Sequence, residues 1–344
     1  MRIHELLQMA VDQGASDLII TVGSPPVLRR NGTLVRLEGQ RMAPADTDGL
    51  LQQLLLEGHR DTFARTGEIS LSYSVFGTGR FRIQAFRQRG TVTLIARTIP
   101  TAVQSAIQLG IPDSAVRLAL SASGLVIVAG PPGSGRTTTL ASMVDTINSQ
   151  REAHVLTLED PIEFLHRHSR SLVNQREVGT DCPSFGAGLR AAIHQTVDVI
   201  AVGEMDPESV PLMLTAAGSG ILVLTSALAR DVREVLGQMA TAFEPHQQER
   251  ACRLLADNLR GVVCQQLVPR SGGDGMVAAF EVFVVESAAR ELIRTMRLDE
   301  VSRLLDGGGG GDSVPMRDAL AALAAAGKIS ESDFHARCVA LQAH

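Results

Sequence analysis

The chain has 344 residues, more than one average domain, and its length predicts two, the larger with room for a substantial core. A formal net charge of −5 and a pI near 6.0 argue against a general nucleic-acid binder, and one tyrosine, ten phenylalanines and no tryptophan leave few platforms for stacking bases. Cys182, Cys252, Cys264 and Cys338 form no CxxC pair and lack histidines at zinc-ligand spacing, so neither a metal site nor a disulfide framework is expected.

In chain order, Ile3, Leu6, Leu7 and Ala10 space out as the apolar stripe of a helix. Charges within that stripe argue against a leader, and no apolar run is long enough to span a bilayer, so the chain reads as cytoplasmic. A strand is expected over Asp17–Val22, a hairpin over Val27–Val35 turning at Asn31-Gly32, and a helix from Pro44 to Leu56. Three more strands, Ile69–Val75, Arg80–Arg87 and Val92–Ala96, complete a small antiparallel α+β domain over residues 1–98. Residues 99–120 read as a linker. From 121 to 344 short apolar runs alternate with helices: Leu125–Ala129, His154–Leu158, Asp198–Val202 and Ile221–Thr225. This pattern predicts an α/β domain with a mostly parallel sheet. Val262–Val268 and Met276–Val284, joined across Ser271–Gly275, are expected as a late antiparallel pair. Five glycines, Gly307–Gly311, read as a flexible joint before helices at Met316–Ala325 and Glu331–Leu341, the second opened by a Ser330-x-x-Asp333 cap.

Between the Leu125–Ala129 strand and a helix expected over Thr137–Asn148 lies Gly130-Pro131-Pro132-Gly133-Ser134-Gly135-Arg136-Thr137-Thr138. Glycines at 130, 133 and 135 let backbone N–H groups curl around a polyphosphate, and the first helical turn adds unpaired donors and its positive dipole end. The Thr137 hydroxyl suits Mg²⁺. A ligand-free glycine turn is the plainer alternative, which the strand–loop–helix context outweighs. One residue breaks the phosphate-loop pattern: Arg136 stands where lysine is expected.

Acids at strand ends form the next layer. Val197–Glu204 is a buried strand ending in Glu204, a position beside the γ-phosphate from which a carboxylate can orient and deprotonate water. Glu159, Asp160 and Glu163 follow another strand, and Glu159 is a candidate Mg²⁺ ligand. Solvated strand-end acids are the plainer alternative for each. Arg80 and Arg82 alternate onto one strand face, as either a phosphate-facing pair or an ordinary charged surface.

QGASDL (13–18), GRFRIQAF (79–86), RTIP (97–100), LTLEDPIEF (156–164), VNQREVG (173–179), DVIAVGEM (198–205) and LTAA (214–217) closely resemble the retraction ATPases of type IV pili. These form the PilT/PilU branch of the type II/IV secretion ATPase superfamily, and the likeness is collinear from residue 1 to residue 335. The resemblance implies a PAS-like N-terminal domain, a RecA-like P-loop core with C-terminal helices, and a hexameric ring. In that ring ATP hydrolysis moves the domains against each other to drive pilus disassembly in twitching motility and DNA uptake. It makes Gly130–Thr137 the phosphate loop, Glu204 the catalytic glutamate, and Glu159, Asp160 and Glu163 the acidic box. Arg80, Arg82 and Arg97 match arginines of the first domain, some of which reach nucleotide. The implied cofactors are ATP and Mg²⁺. The implied partners are copies of the chain or a paralogous retraction ATPase in a mixed ring, and the inner-membrane pilus platform protein. Direct nucleic-acid contact and a transmembrane segment are not implied, and the location is cytoplasmic, peripheral to the inner membrane.

Departures from the family pattern cluster on the nucleotide side. Ile221 and Leu228 stand where the family has histidines, Gln195-Thr196 replaces an acidic pair, and Asp206-Pro207 replaces an arginine and an aspartate. Ala288–Arg294 keeps only part of the AIRNLIRE motif associated with retraction. At Arg136 a planar guanidinium takes the place of a compact ammonium; binding can survive on loop amides and Mg²⁺, whereas a misplaced cation costs about 10²-fold or more in rate. Two readings follow: an active, slower retraction-type ATPase, or a non-hydrolysing nucleotide-binding subunit that assembles with an authentic motor. A P-loop kinase or nucleic-acid translocase lacks support, since neither a substrate-phosphate lid nor a basic stripe is evident.

Overall fold

In the first sheet, period-two alternation decides which side chains are buried. Along Gly79–Gln88, Phe81, Ile83 and Ala85 turn inward while Arg80, Arg82 and Gln84 face outward. The structure, a computed structural model, describes residues 2–30, 32–100, 102–273, 275–307 and 311–342. It divides into two units, Met1–Ala102 with Glu163–Leu165, and Val103–Ile162 with His166–His344. Asn31 and Asp274 of the expected turns, and Gly308–Gly310 of the glycine joint, lie outside the described residues.

The first unit comprises α1 (Ile3–Asp12), β1 (Asp17–Ile20), β2 (Val27–Arg30), β3 (Thr33–Arg36), α2 (Pro44–Leu54), α3 (Glu57–Thr66), β4 (Glu68–Val75), β5 (Gly79–Gln88) and β6 (Thr91–Ile99). Its six strands form an antiparallel sheet in the order β3-β2-β1-β6-β5-β4. The stripe Ile3, Leu6, Leu7 and Ala10 is buried against it, as the spacing predicts. The helix expected to reach Leu56 stops at Leu54, and α3 then follows with a mostly polar sequence in which Phe63 is the buried apolar residue.

The second unit begins earlier than the sequence implies. Residues 103–120, read as a linker, carry α4 (Ala106–Leu109) and α5 (Asp113–Ala119), whose Ala115, Leu118 and Ala119 pack with Val126 and Val144. There follow β7 (Gly124–Ala129), α6 (Arg136–Gln150), β8 (His154–Glu159), β9 (Leu172–Glu177), α7 (Phe185–Ala192), β10 (Val199–Val202), α8 (Val210–Gly218) and β11 (Leu222–Ala227). Then come α9 (Val232–Thr241), α10 (Gln248–Asn258), β12 (Leu259–Pro269) and β13 (Met276–Val284). The chain closes with α11 (Ser287–Arg294), α12 (Leu298–Asp306), α13 (Met316–Ala325) and α14 (Glu331–Gln342). The sheet order is β13-β12-β7-β11-β10-β8-β9, parallel throughout except that β13 turns back along β12. Every residue of β7, β10 and β11 is buried, as expected for central strands covered on both faces. The Ser330 cap forms as predicted, its Oγ accepting from Asp333 N at 3.0 Å. Among the described residues no helix is long and apolar enough to cross a membrane.

Candidate phosphate-binding site

Parallel strands deliver their carboxyl ends to one edge, where ligands of open α/β sheets bind. At that edge β7 runs into the glycine loop. Gly133 and Gly135 have φ of 75° and 89°, a region that L side chains rarely adopt, and Gly135 is the N-cap of α6. Gly130 is confined differently: a Cβ there would lie 2.4 Å from Ser134 Oγ and 2.6 Å from the Gln265 carbonyl. Ser134 N donates to Pro131 O at 3.2 Å, which curls the loop, and among the described residues no side chain caps the first turn of α6. The open helix start leaves donors for an anion. Ser134 Oγ, though buried, has no hydrogen-bond partner among the described residues. A glycine-lined cradle with an open helix start and a spare buried hydroxyl fits a polyphosphate.

Gln265, on β12, was not singled out by the sequence. It is 4 % exposed; its Nε2 donates to Ser134 O at 2.7 Å and its Oε1 accepts from the buried Thr139 hydroxyl at 2.6 Å. The available signal was an amide directly after the apolar run Val262-Val263-Cys264, an unusual residue for a buried strand.

On the acid side, Glu204 follows β10. Its local backbone is clamped by Gly203 N to Leu158 O (2.8 Å), Ser226 Oγ to Gly203 O (2.6 Å) and Met205 N to Ser226 O (2.7 Å). The structure brings Glu204 to the loop's cation, with Glu204 Oε1 4.0 Å from Arg136 Nη1. The Glu204 side chain is 52 % exposed and that of Arg136 15 %, so the attraction is largely screened. Glu159 Oε1 accepts from Thr157 Oγ1 (2.6 Å) and Gln175 Nε2 (3.0 Å), which fixes that carboxylate at the end of β8. Asp160 is exposed beside it, while buried Glu177, also missed in the sequence, accepts from Ile162 N at 3.1 Å. Among the described residues no group of three or more His, Cys, Asp or Glu gathers to hold a metal.

Glu163, Arg80, Arg82 and Arg97 belong to the first unit. Arg80 and Arg82 share the outer face of β5 and donate to Ser74 Oγ (3.3 Å) and Ser70 Oγ (3.4 Å). Arg97 is engaged with buried Asp17, its Nε 2.8 Å from Oδ1, and Arg29 approaches the other oxygen at 3.5 Å.

The divergent positions also have local explanations. Ile221, just before β11, is buried, and Leu228, just past its end, is exposed. Asp206 Oδ1 accepts from Ser209 N at 2.8 Å ahead of α8. In α11, Arg290 donates to Ala256 O (2.8 Å) and Arg294 to Asp257 Oδ1 (2.8 Å), so both cations close the carbonyl end of α10.

Comparison with known proteins adds an independent line. The type II/IV secretion system protein family matches residues 90–300. The type IV pilus retraction ATPase PilT of Pseudomonas aeruginosa is 35 % identical over 334 residues, 97 % of either chain. The type IV pilus ATPase PilU of the same organism is 34 % identical over 306 residues, 89 % of this chain and 80 % of that one. The crystal structure of the pilus retraction motor PilT with bound ADP aligns at TM-score 0.87 and 38 % identity, covering 97 % of this chain and 96 % of that one. The Legionella pneumophila ATPase DotB aligns at TM-score 0.85 with 24 % identity over 98 % and 95 %, a likeness of fold.

Proposed function

Because the chain belongs to the type II/IV secretion system protein family, in its branch of PilT/PilU-type pilus retraction ATPases, we propose that it binds ATP with Mg²⁺ and hydrolyses the nucleotide to drive type IV pilus retraction and twitching motility. The observation that carries this reading is the glycine loop opening onto an uncapped helix, with Glu204 4.0 Å from Arg136. Loop amides and the start of α6 hold the phosphates. Thr137 offers its hydroxyl to Mg²⁺, which when bound neutralises phosphate charge. Glu204 accepts a proton from the attacking water, and Arg136 turns from Glu204 toward the phosphates. Glu159, held by Thr157 and Gln175, is the second acid of the edge, with Asp160 and Glu163 as the remainder of the acidic box. The face carrying Arg80 and Arg82 is proposed to meet phosphate, and Arg97 does so only after leaving Asp17. The assembly proposed is a ring of six copies, or a mixed ring with a paralogous retraction ATPase, docked on the cytoplasmic side of an inner-membrane platform protein.

A second reading, a hydrolysis-deficient subunit that modulates an active motor, is favoured by one observation. The bulkier guanidinium of Arg136 faces the carboxylate that has to activate water. ATP turnover by wild type, Arg136→Lys and Glu204→Ala, with ADP binding measured in parallel, separates the two. Turnover above the Glu204→Ala background rules out the accessory reading; turnover at that background with ADP binding intact rules out the motor.

A further inference from the structure

The register of the sheet puts one side chain against the glycine loop from outside it. The last residues paired between β12 and β7 are Cys264 and Ala129, so Gln265 comes level with Gly130, the first residue of the loop. A Cβ at Gly130 would lie 2.6 Å from the Gln265 carbonyl, and one at Gly135 would lie 2.9 Å from its Nε2. The amide then spans the loop and the helix behind it, donating to Ser134 O at 2.7 Å and accepting from Thr139 Oγ1 at 2.6 Å.

The Ser134 carbonyl needs Gln265 for a reason of backbone chemistry. Ser134 precedes the N-cap of α6, and the first amide of that helix to find a helical partner, Thr139 N, goes to Gly135 O instead. The Ser134 carbonyl therefore depends on a donor outside the helix ladder, and Gln265 Nε2 supplies it. Within a trans peptide the carbonyl and the following N–H point to opposite sides. Holding Ser134 O toward β12 directs Gly135 N–H away from β12. Gly135 has the left-handed φ of 89°, and glycine can move to negative φ at little cost, so this peptide is free to turn over unless something holds it. A turned peptide presents an oxygen where a phosphate needs a donor.

We propose that Gln265 is a positioning residue that locks the Ser134–Gly135 peptide with its N–H available to phosphate, so that phosphate affinity in this loop is set from β12. The inference rests on the nucleotide-binding reading above. It is tested by titrating ADP into the full-length protein and its Gln265→Ala, Gln265→Glu and Thr139→Val variants. Loss of a buried amide bond predicts about tenfold weaker ADP binding for Gln265→Ala, and a smaller loss for Thr139→Val, which leaves the bond to Ser134 in place. Gln265→Glu supplies a readout that loss of packing does not move. As a carboxylate it has no proton for Ser134 O; once protonated it regains a donor at one oxygen and an acceptor at the other. Burial raises a carboxyl pKa, so the ratio of variant to wild-type dissociation constants should fall toward one between about pH 8 and about pH 5.5. A flat ratio, or wild-type ADP affinity in Gln265→Ala, overturns the inference and leaves the nucleotide reading standing. Failure of wild type to bind ADP overturns both. Should Gln265→Ala not fold, the pH profile of Gln265→Glu and the Thr139→Val titration decide the matter.

Discussion

Around the glycine loop, Ser134, Thr139 and Gln265 are 3 %, 1 % and 4 % exposed, and their mutual bonds measure 2.6–2.7 Å. A few strands along the same edge, the Glu204 side chain is 52 % exposed and meets Arg136 only at 4.0 Å. Ser134, Thr139 and Gln265 thus brace the loop from the core and lose their partners if it moves, whereas Glu204 is held at its backbone and keeps a largely exposed carboxylate. On the proposed reading, such a site would bind phosphate through preorganised donors and leave proton transfer to the more exposed Glu204. Binding and turnover should therefore be separable by mutation.

The largest separation is expected at Glu204. Changing it to glutamine removes the proposed general base and nothing from the cradle, so turnover should fall about 10²- to 10⁴-fold while ADP affinity holds. Equal losses in both would show that the two halves act as one. Gly130→Ala should do the reverse. Its new Cβ meets Ser134 Oγ and the Gln265 carbonyl, a backbone atom that cannot swing aside. Overpacking of this kind costs about 1–3 kcal/mol, enough for about tenfold weaker ADP binding in calorimetry together with a lower melting temperature. Unchanged affinity would mean that the loop is not the phosphate site. Arg136→Lys is the milder test across the boundary: a compact ammonium should raise turnover about tenfold, and a fall instead would mark the guanidinium as adapted to its place.

Physical range explains which parts of this comparison were legible in the sequence. The glycine loop was readable because φ at Gly133 and Gly135 is a local matter of residue type. The central strands were readable because burial on both faces demands uninterrupted apolar runs, as in β7. Gln265 was not, since its partners lie 126 and 131 residues away and only the sheet register brings them together. Arg97 was matched to a nucleotide-reaching arginine, but its partner in the structure is Asp17, 80 residues distant. The edge strand β9 escaped for another reason: Asn174, Gln175 and Arg176 within it are polar, and its burial follows no clean alternation. Helix α3 was hidden by its charges, and α4 and α5 by their short length.

Two cysteines offer the finest probe of the same contrast, because each sits on one half. Cys264 neighbours Gln265 on β12 and is fully buried; burial pushes its thiol well up, with Glu281 and Asp231 adding to the effect. Cys182 lies on the acid side at 5 % exposure. Burial raises its thiol too, and Asp181 adds to that, but Arg176 opposes it. Only the thiolate reacts, so both are slow, and Cys264 should be the slower. A raised folded pKa contributes stability that is present below the unfolded thiol value of about 8.5 and is lost as pH climbs through the folded one, so the contrast is best read near pH 8. Under limiting iodoacetamide, peptide mass spectrometry should find half-buried Cys338 modified first, then Cys182, with Cys264 last and further slowed by ADP. Cys264 labelled as fast as Cys182 would mean that β12 opens as readily as the acid side. A loop braced on β12 would then be held no more firmly than the carboxylate of Glu204.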